Sequence, residues 1–132
     1  MIAIFKVEVT TAGTPGPLLG DNVKTIVTPL YPSDLTVDSD GLGTRVTVFN
    51  QVAASGRAHY SVARFVVMGT GDNGNVAYLL ARGATDVTGR RVASYEELPP
   101  IGFGDRNDID LSDFDVDSDA NADGLTIWAE VR

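Results

Sequence analysis

GLGTRVTVFNQVAASGRAHYSVARFVVM, residues 41–68, is the stretch that decides the fold class. Val46, Val48 and Val52 recur on one side of an extended 44–52 segment, while Ala58, Tyr60, Val62, Val66 and Met68 share a side across 57–68. That period of two, in a run rich in β-branched residues, predicts two half-buried strands joined by a short hairpin loop at 53–56. The next glycine-rich stretch, GTGDNG at 69–74, reads as a second hairpin turn. Beyond it Val76, Tyr78 and Leu80 alternate with Ala77, Leu79 and Ala81, both sets apolar, which predicts a strand covered on both faces and completes a three-stranded meander.

Working outward, the same period holds at both ends of the chain. Ala3, Phe5, Val7 and Val9 alternate with Lys6, Glu8 and Thr10, and Leu125, Ile127, Ala129 and Val131 form an inward set that leaves Trp128 on the other face. Residues 23–28 are extended, with Pro29 and Pro32 restricting them to a sheet edge. Residues 87–93 make a shorter strand candidate, and 93–98 (ASYEEL) hold one helical turn at most before Pro99 and Pro100. The stretch TAGTPGPLLG, 11–20, has two prolines and three glycines and is expected to be an irregular arm. The expectation is one all-β domain over residues 1–132, a β-sandwich or jelly-roll-like fold of seven or eight short, mostly antiparallel strands, with an irregular arm at 11–20 and an acidic loop at 99–124.

A chain of 132 residues suits a single core. It has no cysteine, so apolar burial and backbone ladders must hold it. The early Lys6 and Glu8 argue against a secretory leader, and no apolar run approaches the ~18 residues of a membrane span. A net charge of −8 opposes the phosphate-tracking basic surface that nucleic-acid binding requires. The expected partners are therefore proteins, with neither nucleic acid nor membrane.

Charge is concentrated in one place. Residues 105–123 hold eight aspartates and one arginine, a local charge of −8 + 1 = −7, which leaves −1 for the rest of the chain. Within this segment Asp119, Asn121, Asp123, Gly124 and Glu130 satisfy the spacing of a calcium-binding EF-hand loop. The alternating pattern of the last strand leaves no helix to bring Glu130 back to a metal, so the EF-hand itself is not expected. A simpler loop site for calcium would use Asp117, Asp119, Asn121 and Asp123, with Asp115 beside them. The competing use is docking: Asp105, Asp108, Asp110, Asp113 and Asp115, together with Trp128, would meet a basic partner surface. On that reading, changing Asp117, Asp119 and Asp123 to Asn should hardly alter the melting temperature. The bland reading is a solvated loop turning at Gly124 into the last strand.

Nothing in the sequence assembles a catalytic set. His59 is the single histidine, and no Gly-x-Ser-x-Gly surrounds a serine. Glu96 and Glu97 are adjacent, so in an extended chain they point apart rather than toward one substrate. Arg90 and Arg91 read as solvated arginines at a strand start. Tyr60, Tyr78, Tyr95 and Trp128 offer surfaces for stacking on sugars, which keeps a calcium-assisted carbohydrate-binding module as the alternative to a structural protein. A small acidic inhibitor that mimics nucleic acid is the third class.

The strand start MIAIFKVEV, the meander GLGTRVTVFNQVAASGRAHYSVARFVV, the arm TAGTPGPLLG and the strand end DGLTIWAEVR together resemble the small accessory virion proteins of tailed bacteriophages, of the head decoration or cement type. The resemblance implies a β-sandwich or jelly-roll-like subunit that self-associates, often as a trimer, and docks on a capsid lattice in the virion. It carries over no functional residue. The function expected is that of a non-catalytic structural assembly protein.

Overall fold

The computed structural model describes residues 2–18, 23–31, 61–70, 75–85, 88–102 and 109–131. They form ten strands: β1 (Ile2–Val9), β2 (Gly16–Pro17), β3 (Thr25–Tyr31), β4 (Ser61–Gly69), β5 (Ala77–Ala81), β6 (Arg90–Val92), β7 (Ile101–Gly102), β8 (Ile109–Asp110), β9 (Phe114–Ser118) and β10 (Asp123–Val131). A 3-10 turn at Leu111–Asp113 separates β8 from β9. The strands build two antiparallel sheets, one in the order β3-β1-β10-β4-β7 with β8 also on β4, the other β2-β9-β5-β6. The all-β, sandwich-like expectation is met.

The terminal strands behave as their period predicts. Ala3, Phe5, Val7 and Val9 are buried, as are Leu125, Ile127 and Ala129 on β10, which pairs with β1 from Ile2–Glu130 to Val9–Asp123. Ala77, Leu79, Val92 and Val116 close the core from the second sheet, and the Phe65 ring meets Phe114 edge-to-face with centroids 5.2 Å apart. Full burial of each large side chain here contributes about 1.5–3 kcal/mol. Among the described residues the edge position read from Pro29 holds, since β3 flanks β1 alone there. Proline has no N–H to offer a ladder, so an edge tolerates it.

Three expectations are corrected. The meander is not formed by β4 and β5, which lie in different sheets. Both sides of β4 are already taken, one by β10 and the other by β7 and β8, so the chain after Gly69 crosses to the second sheet instead of turning back. The segments at 44–52 and 57–60, with Tyr60 and His59, lie outside the described residues.

Second, the phase of β4 changes midway. Opposite β10, Glu130 pairs with Arg64 but Val131 pairs with Val62, which leaves Ala63 as the extra residue of a β-bulge. Val62 stays inward, and beyond the bulge Phe65 and Val67 enter the core while Val66 and Met68 move to the outer face. A one-residue slip exchanges the faces of a whole strand half.

Third, the two irregular segments are built into the sandwich. Residues 11–20 contain β2, an edge strand on β9, and Leu18 behind it is fully buried. The 99–124 stretch holds β7, β8 and β9, and β9 pairs with β5 along its whole length. Nor does 93–98 make a helical turn: Ser94 and Glu97 bridge to β4, and Tyr95 takes φ 58°.

Candidate functional site

On β9 successive side chains alternate across the sheet, so Val116 enters the core while Asp115 and Asp117 share the outer face. Those carboxylates do not meet bulk water as a strip. Asp115 accepts from the Gly83 N–H at 2.9 Å, and Asp117 Oδ1 accepts from Gly13 N at 3.0 Å and Ser118 N at 2.8 Å. Asp119 accepts the Tyr78 hydroxyl proton at 2.9 Å, and Asn121 Oδ1 accepts from Ala12 N at 2.8 Å. Asp123 takes the Thr70 hydroxyl and the Gly124 N–H, which Thr70 Oγ1 also receives.

The five side chains thus cap five separate places, and the arm after β1 is laid over β9 by two of them. Asp117 is 1% exposed as a result, and its Oδ2 is buried without a hydrogen-bond partner among the described residues. Hydrogen bonds to a charged acceptor contribute more than neutral ones, about 1.5–3 kcal/mol each where they are buried, which makes Asp117 and Asp123 structural residues.

The calcium set is accordingly not assembled. Asp117, Asp119, Asn121 and Asp123 face different donors, and among the described residues no group of three or more acidic, histidine or cysteine side chains is arranged to hold a metal ion. Glu130, the last residue of the EF-hand spacing, lies on β10 and pairs with Arg64 at 2.6 Å. At about 3.3 Å per strand residue it stands roughly 23 Å along β10 from Asp123. Gly124 serves a different purpose from a metal-loop turn: a Cβ there would lie 2.0 Å from the Val7 carbonyl oxygen, so only glycine lets β1 approach.

The docking set is divided too. Asp105 and Asp108 lie outside the described residues. Asp110 sits half-buried on β8, Asp113 is exposed at the end of the 3-10 turn, and Asp115 is held by Gly83. Trp128 stands on the outer face of the six-stranded sheet, 51% exposed, in the sheet that also carries Asp110 on β8 and not in the one that carries Asp115 on β9.

That outer face is the second candidate, and sequence reading found only one member of it. Ile4 pairs with both Tyr31 and Trp128, and Trp128 pairs with Val66, so four apolar side chains from β3, β1, β10 and β4 stand in one row. Directly opposed residues share a face. Tyr31 is 56% exposed, Ile4 and Val66 half-buried. The neighbouring row runs Thr28, Lys6, Thr126, Met68 and, through a bridge, Glu97. Between the rows Val66, Met68, Trp128 and Glu97 line a cleft of about 260 Å³. The signal that could have located the face was Trp128 out of phase on β10; Val66 and Met68 were hidden by the bulge.

No protein-family model matches this chain, and no curated protein or solved structure is significantly similar to it.

Proposed function

We propose that the protein is a non-catalytic structural subunit that associates through the outer face of its six-stranded sheet and docks within a larger protein assembly. The observation that carries this reading is the apolar row Tyr31–Ile4–Trp128–Val66, which crosses four strands with Tyr31 and Trp128 more than half exposed and Ile4 and Val66 half-buried between and beside them. A sheet face normally alternates apolar-in with polar-out, and a contiguous outward apolar row marks an interaction surface. Flanking pairs, Lys6–Glu8 at 3.5 Å and Arg64–Glu130, supply the polar border usual at such contacts. A decoration or cement role in a phage virion, with closed self-association such as a trimer, is the specific case suggested by the sequence resemblance. Asp115, Asp117, Asp119 and Asp123 do not supply the docking surface in this reading, because they are hydrogen-bonded within the subunit.

Stacking of Trp128 on a sugar ring is the competing use of the same face. The test is light scattering coupled to size-exclusion chromatography, with calcium and with chelator. The expected result is a closed oligomer indifferent to chelator, reduced to monomer by Trp128→Glu without loss of strand structure. A wild-type monomer at every concentration, or one that binds soluble oligosaccharide through Trp128, would overturn the assembly reading.

A further inference from the structure

Among the described residues, two ion pairs lie on the outer face of the six-stranded sheet. Lys6 faces Glu8 and Arg64 faces Glu130. Glu97, exposed beside Trp128 and Met68, has no cation or donor on its carboxylate among the described residues.

Its position is fixed by backbone. Glu96 N donates to Ala93 O at 3.0 Å and the Glu96 carboxylate accepts from Ala93 N, closing a tight turn with Tyr95 at φ 58°. Gly69 N donates to Glu96 O, Gly69 O accepts from Tyr95 N in return, and Leu98 N donates to Val67 O. A Cβ on Gly69 would come within 2.2 Å of Ala93 O, so glycine is what permits this close seating. The strained, multiply anchored turn therefore presents Glu97 at the same place on the rim of the cleft that Trp128 also lines.

Resting on the assembly reading above, we infer that the Val66–Met68–Trp128–Glu97 cleft receives a basic side chain, arginine or lysine, from the protein on which this face docks. Val66 and Met68 form an apolar wall for the aliphatic stem, the Trp128 ring offers its negative face to the cation, and Glu97 supplies the counter-charge. About 260 Å³ lies below the ~300 Å³ where small-molecule pockets begin, a size suited to one long side chain.

Trp128 is the one tryptophan, so its fluorescence reports the cleft directly. Dilute protein is titrated with acetyl-Gly-X-Gly-amide, where X is arginine, lysine or norleucine. Arginine is expected to bind about tenfold more tightly than norleucine, with lysine between them, and 0.5 M salt should narrow the difference. Glu97→Gln should bring arginine to the norleucine level while leaving the melting temperature unchanged. Trp128→Leu, followed by proton NMR of the peptide, should remove binding of all three. Equal binding of arginine and norleucine, or arginine binding unaffected by Glu97→Gln, overturns the inference. If Trp128→Glu breaks the oligomer while the peptides show no preference for charge, the cleft inference falls and the assembly reading stands. Charge-selective binding lost in Glu97→Gln, with association untouched by Trp128→Glu, upholds the cleft and overturns self-association through this face.

Discussion

The outer faces of the two sheets reverse the usual allocation. The β9 face is rich in carboxylates, yet they are engaged: the arm at 11–15 lies over Asp117 and buries it, and Asp115, Asp117 and Asn121 receive the backbone N–H groups of Gly83, Gly13 and Ala12. The β10 face is rich in apolar side chains, yet it is open. Charge density along a chain therefore does not locate the surface that meets partners. A carboxylate next to unpaired backbone donors is drawn inward to them, because an unmet buried N–H costs about 1–3 kcal/mol. An apolar row that no other described residue covers gains from contact with another molecule.

The largest expected effect tests whether the two faces belong to one cooperative unit. Phe65, fully buried on β4, touches Phe114 on β9 across the sandwich. Phe65→Ala should destabilise by about 3–5 kcal/mol, seen as a single shifted urea transition. Two separate transitions would show that the sheets unfold independently, and the comparison would then concern two units.

Next comes Asp117. Replacement by Ala strands the Gly13 and Ser118 N–H groups under the arm, so a loss of about 2–4 kcal/mol is expected, with faster amide exchange at Gly13. The Asn triple variant at Asp117, Asp119 and Asp123, read from sequence as nearly silent, should instead lose roughly 1 kcal/mol per site as charged acceptors become neutral ones. An unchanged melting temperature in that variant would return these residues to the role of a solvated strip.

How much of this was legible in the sequence follows from which interactions are local. Strands β1 and β10 were readable residue by residue, because their period of two runs unbroken and each buries one face. The edge character of β3 was readable from Pro29, whose missing donor is a property of the residue itself. The bulge at Ala63 was not, because β10, more than sixty residues away, sets the register that makes one residue extra. The crossing between sheets after Gly69 was hidden for the same reason: GTGDNG suits a hairpin, and only occupancy of both sides of β4 forbids one. The acidic segment misled most. Asp115 to Asp123 alternate with small and apolar residues, the pattern of a strand, but their charge drew the reading toward solvent, and their donors lie on the arm, on β5 and at Thr70. Of the site, Trp128 was found by its phase, while Val66, Met68 and the turn that holds Glu97 needed the fold.

The smallest expected effect is the one that most sharpens the contrast. Trp128 pairs across the sheet with Ile4 and Val66, and such pairs contribute about 0.2–1 kcal/mol. Trp128→Thr, which retains a β-branched residue on the strand, should therefore shift stability by no more than about 1 kcal/mol while removing association. The opposite face behaves in the reverse manner, since Asp117→Ala should weaken folding and leave association per folded molecule unchanged. If Trp128→Thr instead lowered stability by several kcal/mol, as loss of a core aromatic does, the row would be serving the subunit's own packing. An interface needs a face whose removal the fold hardly notices, and the thermal melt of this one variant decides whether the β10 face is such a surface.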